Sequence, residues 1–402
     1  MTNTEIRPFR IDVPQAELDD LQARLANTRW PRELPGLGWS RGVPTSYLRR
    51  IAEHWQHTFD WRTAEAALNE LPQFVTEIDG QGEPQQIHFV HVRSAEPTAR
   101  PLLMVHGWPS SFAEFTKVVG PLTDPVAHGG KAEDAVHLVL PSIPGFGFSS
   151  LSGPGWGNLF TVAGGFAEIM TRLGYDRFLA QGTDVGAGIV GMLPMVAPGR
   201  VIATHVNGPS PYPFGPALSL DGLEGAERDR AERFNAFRED GAGYLHIQAT
   251  RPQTIGYGLT DSPVAQLAWI VEKFAEWTDP KNELPEDAVD LDQLLTTVSI
   301  YWFNQVGASA AHSLYEGMQA YKAFAQPAEQ PAEQSWDAGG WEAPPAPPSA
   351  VAVFAADLTV RREVDPTGAH VRWTEYDRGG HFPAMEVPEL LVEDMREFFR
   401  AQ

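Results

Sequence analysis

The sequence predicts an α/β protein: a mostly parallel central sheet with helices on both faces, preceded by an N-terminal wrap and interrupted by a helical lid. Three observations carry that prediction. Apolar runs of strand length, at residues 101–106, 136–141, 200–207 and 349–356, alternate with helical patterns such as 160–173 and 388–399. Such runs suit strands buried on both faces, and the alternation suits crossover helices. A small-x-acid-x-small turn, Gly182-Thr-Asp184-Val-Gly186, stands between an apolar run at 175–180 and a helical one at 187–196, and an acid, Asp357, and a histidine, His381, each follow a later strand-like run.

Composition narrows the functional classes. A chain of 402 residues, 43% of them hydrophobic, suffices for one large core with an insertion or for two domains. The net charge of −22, with no Lys/Arg-rich stripe, argues against a nucleic-acid partner. The absence of cysteine excludes disulfides, thiolate nucleophiles and cysteine-ligated zinc. The N-terminus lacks a signal-like apolar region and no apolar run approaches about eighteen residues, so a cytoplasmic protein that does not span a membrane is expected.

Taken in order, residues 1–72 read as a wrap. Helical spacing at 16–25 and 47–61 is broken by Pro31, Pro35, Gly36, Gly38, Gly42 and Pro44, and Trp30, Trp39, Trp55 and Trp61 pack against something larger. Residues 73–215 form the first part of the core. A hairpin at 74–93 turns at Gly80-Gln-Gly82, and the buried strand 101–106 runs into His106-Gly-Trp-Pro109 and a helix at 111–119. Next come the strand 136–141, the helix 160–173, the turn at Asp184 and the strand 200–207. Residues 216–325 are helical throughout, at 228–238, 263–277, 291–303 and 310–324, and read as a lid inserted between strands. Residues 326–348 are a Pro-rich connector, and 349–402 complete the core with strands at 349–356 and 371–376 and a closing helix at 388–399.

At a strand-to-helix elbow the tip residue is held out on a strained turn, and glycine is required at 182 and 186 because a Cβ would collide with neighbouring backbone. The usual tip is Ser. Asp184 in its place points to a carboxylate nucleophile that displaces at saturated carbon and leaves an ester. Two plainer readings compete. Residues 186–191 spell Gly-x-Gly-x-x-Gly, but a lone dinucleotide fingerprint outside the first strand–helix unit is weak evidence. Asp184 can also serve simply as a helix cap. Asp357 and His381 weigh against both, because the three residues follow three different strands in the order nucleophile, acid, base. An Asp nucleophile is already ionised at neutral pH. His381 is then free to activate water against the ester, with Asp357 orienting the imidazole and the amides of Trp108 and Val185 meeting the oxyanion.

With those residues in place, the sequence resembles an epoxide hydrolase of the α/β-hydrolase superfamily, in the branch of the microsomal and juvenile hormone enzymes and their bacterial and fungal relatives. The resemblance spans nearly the whole chain. It rests on Phe59-Asp-Trp-Arg62, Leu68-Asn-Glu-Leu-Pro-Gln-Phe74, Ile87-His-Phe89, His106-Gly-Trp-Pro109, Arg251-Pro-Gln-Thr-Ile-Gly256, Asp261-Ser-Pro263, Tyr301-Trp302 and Arg378-Gly-Gly-His-Phe382. It implies that the wrap is a meander domain and that Asp184 opens an oxirane. It further implies that Tyr244 and Tyr315 donate hydrogen bonds to the epoxide oxygen and that His381 with Asp357 hydrolyses the ester to a vicinal diol. Substrate contacts are assigned to Trp108, Phe148 and Tyr301, and no metal or organic cofactor is called for.

The chain departs from that family in two places. Its elbow carries Val185 where the family usually has Trp, which keeps the amide and removes an aromatic wall. Asp357 sits in Ala355-Ala-Asp-Leu358, where relatives often have Pro and Lys or Glu, with Asp365 and Glu363 as weaker substitutes. The vertebrate membrane anchor is not expected. A haloalkane or haloacid dehalogenase is the nearest alternative, disfavoured because Val185 offers no side-chain N–H to a halide. A non-catalytic hydrolase-fold binding protein is the other, disfavoured because every catalytic position holds a competent residue. The sequence leaves open which epoxide is used, detoxification against a natural-product role such as enediyne biosynthesis, and oligomeric state, a homodimer included.

Overall fold

The computed structural model of the protein describes residues 4–79, 84–211, 213–325 and 346–402. The expected glycine turn at 80–82 and all but the end of the Pro-rich connector lie outside the described residues. The described strands are β1 Arg7–Phe9, β2 Gln73–Ile78, β3 Gln85–Val92, β4 Arg100–Val105, β5 Val136–Pro141, β6 Phe178–Thr183, β7 Val201–Asn207, β8 Ser349–Val353 and β9 Arg372–Glu375. They form one sheet in the order β1-β2-β3-β5-β4-β6-β7-β8-β9. The pairs β1–β2, β2–β3 and β3–β5 are antiparallel. From β5 through β4, β6, β7 and β8 to β9 every pair is parallel. This is the α/β-hydrolase architecture that the sequence predicts.

The apolar run in β4 explains its central position. Leu102, Leu103, Met104 and Val105 are fully buried, and each such side chain contributes roughly 1.5–3 kcal/mol by leaving water. Loops from the carboxyl ends of β4, β6, β7, β8 and β9 therefore open on one edge of the sheet. Between β7 and β8 run the helices Gly225–Ala236, Gly243–Gln248, Pro252–Asp261, Pro263–Trp277, Leu291–Phe303 and Val306–Ala325, with no strand among the described residues. The second and third of these were not expected from the sequence. They are short, and Ser262 ends the third while accepting from the Ala265 amide to cap the fourth.

Three readings of the pattern are corrected. The expected helix at 47–61 is two helices, Thr45–His57 and Trp61–Leu68, because Asp60 caps the second by accepting from Arg62 N. Strand β1 was missed, since three residues at a sheet edge carry no period. The strand expected at 175–180 is displaced to Phe178–Thr183. Gly182 and Thr183 look like turn residues, yet they pair with Val206 and Asn207 of β7. The wrap braces the inserted helices as well as the core: Trp55 Nε1 donates to Ser299 Oγ at 2.9 Å, and the Tyr47 hydroxyl donates to Glu286 at 2.6 Å. No described helix is long and apolar enough to cross a membrane.

The chain thus passes from β6 into the helix Val185–Val196 through a single residue, Asp184, at φ 52°. A Cβ on Gly182 would collide with the Gly186 carbonyl, and one on Gly186 would collide with the carbonyls of Val105 and His106. A Cβ on Gly191, on the same helix, meets open space. Gly186→Ala is therefore expected to lower unfolding stability by about 3 kcal/mol or more. Gly191→Ala should stay within about 1 kcal/mol of the parent, on the stabilising side. Denaturant midpoints of the two variants check the contrast, and equal midpoints would contradict it.

Candidate active site

The loop after β4 meets the elbow directly. Asp184 makes no side-chain cap to the helix that follows it. Its Oδ1 instead accepts from the Trp108 amide at 2.8 Å, which decides against the capping reading. Gly107 permits that approach, because a Cβ there would overlap the Asp184 side chain. The loop is pinned from beneath by His106, whose Nδ1 lies 3.0 Å from Gly107 O and whose Nε2 lies 3.2 Å from Ile143 N. The carbonyl can only accept and the amide only donate, so Nδ1 carries the proton. The Tyr301 hydroxyl adds a second pin, donating to Ser110 O at 3.1 Å.

His381 reaches the same carboxylate from the loop after β9. Its Nε2 lies 3.6 Å from Asp184 Oδ2, and its amide donates to Trp277 O at 2.8 Å. Gly379 N donates to Asp279 Oδ2 at 2.8 Å and Phe382 N to Glu386 Oε1 at 3.0 Å, so the histidine loop is fastened on both sides. Burial lowers the imidazole's pKa and the Asp184 charge opposes that shift. The ring is therefore poised to be neutral near pH 7, as a base must be.

Asp357 is buried at the end of β8, where its Oδ2 accepts from Phe354 N at 2.7 Å. Burial pushes its carboxyl up to about 7, against the opposing effects of the Phe354 amide, Arg230 and Arg233. It lines the same cavity as His381 and Asp184, but no described hydrogen bond or ion pair joins it to His381. Val185 also lines the cavity. As the first residue of its helix it offers an amide without an intrahelical acceptor.

The inserted helices close the site. The Tyr244 ring stacks on Trp108 with centroids 4.7 Å apart and planes at 11°, and meets Trp277 edge-on at 5.4 Å. Burial raises the phenol well above its ordinary pKa, and the charges of Asp184 and Glu276 add to the effect. The cavity holds about 920 Å³, ample for a small organic substrate.

Three assigned residues do not lie on its wall. On the helix Val306–Ala325 it is Leu314 and Met318 that line the cavity, while Tyr315 is half-buried beside them. Phe148 packs against Phe9, His88 and Phe112 in the core. Tyr301 spends its hydroxyl on Ser110 O and so contacts the Trp108 loop rather than the cavity. Trp277, by contrast, is a wall residue that sequence reasoning passed over. Glu114, beneath the Trp108 loop, was passed over too; burial raises its carboxyl to about 8. No described group of three or more His, Asp or Glu residues is arranged to hold a metal ion.

The chain is also similar to known proteins. Residues 6–115 match the family described as epoxide hydrolase N terminus, and residues 100–242 match the α/β-hydrolase fold. The chain is 42% identical to the protein named "Putative epoxide hydrolase" in Stigmatella aurantiaca, over 98% of this chain and 85% of that one. It is 34% identical to epoxide hydrolase 1 of Sus scrofa, over 98% of this chain and 88% of that one. The solved Aspergillus niger epoxide hydrolase superposes with a TM-score of 0.81 at 30% identity, covering 100% of this chain and 97% of that one.

The His381 environment generates a titration prediction. Followed by NMR of its ring protons in the full chain, His381 should titrate below the ordinary value of 6.5. Asp184→Asn removes the charge that raises it, so the midpoint should move lower still. A midpoint that stays put or rises in Asp184→Asn would contradict the contact.

Proposed function

Since the chain belongs to the epoxide hydrolase family and is an enzyme of the α/β-hydrolase fold, we propose that it opens its epoxide through a covalent ester on Asp184. The observation that carries this reading is the placement of one carboxylate. Asp184 Oδ1 rests on the Trp108 amide at 2.8 Å while Oδ2 faces His381 Nε2 at 3.6 Å. One oxygen is thus prepared to stay as the ester carbonyl and the other to attack.

In the first half-reaction an Asp184 oxygen forms a bond to an oxirane carbon and the ring C–O bond breaks. The released electron pair goes to the epoxide oxygen, which takes its proton from the Tyr244 phenol. General acids of this kind typically contribute about 10²–10⁴-fold. Tyr315, one position round the helix from Leu314, would join Tyr244 only after that helix shifts. In the second half-reaction His381 removes a proton from water and the hydroxide adds to the ester carbonyl. The Trp108 and Val185 amides receive the oxyanion. Collapse expels the diol oxygen, which takes the proton held by His381. The remaining proton of the Asp184 carboxyl leaves and the Tyr244 phenol is restored, so one water is consumed per diol. Asp357 steadies the imidazolium from the same cavity, through a side-chain rotation that brings its carboxylate to the ring.

The reading predicts that His381→Gln accumulates an adduct of substrate mass on the peptide bearing Asp184, seen by mass spectrometry after mixing with styrene oxide. Multiple turnovers by that variant without adduct would overturn the assignment. Tyr244→Phe should slow adduct formation by about ten- to a thousand-fold, whereas an unchanged rate would remove Tyr244 from the reaction.

A further inference from the structure

Lys273 lies on the helix Pro263–Trp277, on the buried stripe that it shares with Gln266 and Ile270. Only 3% of it is exposed, an uncommon place for an ammonium because leaving water is costly unless partners compensate. Two partners come from its own helix: Nζ stands 2.7 Å from Glu276 Oε2 and 2.9 Å from Glu272 Oε2. Neither partner needs it to be buried, since both carboxylates are partly exposed and a lysine facing outward would reach them. What burial adds is an aromatic surface. Nζ lies over the Tyr244 ring, 4.8 Å from its centroid, and 5.7 Å from that of Trp277.

We propose that Lys273 is a positioning residue for ring opening, resting on the role of Tyr244 above: its ammonium stabilises the negative charge that the Tyr244 phenol takes on as it gives its proton to the epoxide oxygen. A cation over a ring is held by the ring's π electrons, and the attraction grows as the phenol becomes phenolate. The surroundings otherwise oppose that charge, because Asp184 and Glu276 are both negative and the ring is out of water. The Lys273 ammonium, over the ring itself, is a cation placed to offset them. Its carboxylate partners weaken this effect, Glu276 above all because it lines the same cavity, but it is the ammonium that lies over the ring. No bond to Lys273 forms or breaks.

The test is a double-mutant cycle read on alkylation alone, with His381→Gln holding the enzyme at the ester stage and rapid-quench mass spectrometry following adduct formation from styrene oxide. Lys273→Met is expected to slow alkylation by about ten- to a hundred-fold, and Lys273→Arg to restore most of the rate. In an otherwise wild-type chain, decay of the preformed ester should be unchanged by Lys273→Met. Combined with Tyr244→Phe, Lys273→Met should have no further effect, because its influence passes through the missing hydroxyl. The inference is overturned if Lys273→Met costs the same with and without Tyr244→Phe, or slows ester decay as much as alkylation. A Tyr244→Phe enzyme that alkylates at the parent rate would instead remove the reading of Tyr244 itself. Should Lys273→Met fail to fold, Lys273→Gln with Glu272→Gln removes the charge together with a partner that is not among the charges acting on Tyr244, and the same criteria apply.

Discussion

The turn at Asp184 compresses the passage from strand to helix into one residue, and the rest of the site depends on that compression. A non-glycine residue at positive φ is costly, and here the surrounding backbone enforces it: Gly182 and Gly186 are packed against each other and against the end of β4. In return the carboxylate is carried away from its own helix and placed on the Trp108 amide. A capping aspartate would have been turned inward and spent on its helix. The fold holds this one outward, with an oxygen toward the cavity.

The neighbouring loops are fixed just as firmly, by contacts that take no part in the chemistry. His106 and Tyr301 hold the Trp108 loop from below. Asp279 and the carbonyl of Trp277 hold the His381 loop from the side of the inserted helices, and Glu386 holds it from the short helix that follows. The helix that ends at Trp277 thus does two things: it packs Trp277 against Tyr244 and anchors the His381 loop. Displacement of that helix would disturb both proposed half-reactions together. Electrostatics set the same balance. Burial favours a neutral His381 and a protonated Tyr244, so each rests in the form that the proposed roles of base and acid require.

Much of this was legible in the sequence, for a physical reason. Strand-length apolar runs report burial on two faces, and glycines two positions either side of an acid report a turn too tight for a Cβ. Those patterns located the sheet, Asp184, Asp357 and His381. What they could not report is where a side chain points. Tyr315 and Leu314 differ by about 100° around one helix, and only the packing of that helix turns Leu314 inward. Phe148 and Tyr301 carry the residue types of a binding wall but are spent on the core and on Ser110. Asp357 follows the right strand, yet its carboxylate is satisfied by its own turn. Lys273 was hidden by its chemistry, since a lysine reads as solvent-facing unless its place on the apolar stripe beside Ile270 is weighed.

Everything in the account passes through a bond between Asp184 and substrate carbon. The most direct measurement is a single turnover in oxygen-18 water with enzyme in excess, followed by proteolysis and mass spectrometry of the peptide bearing Asp184. If the ester forms and water attacks its carbonyl, label enters the Asp184 carboxylate and the first diol carries an unlabelled enzyme oxygen. Label found only in the diol, with the Asp184 peptide unchanged, would show that water attacks the epoxide directly and would contradict the account.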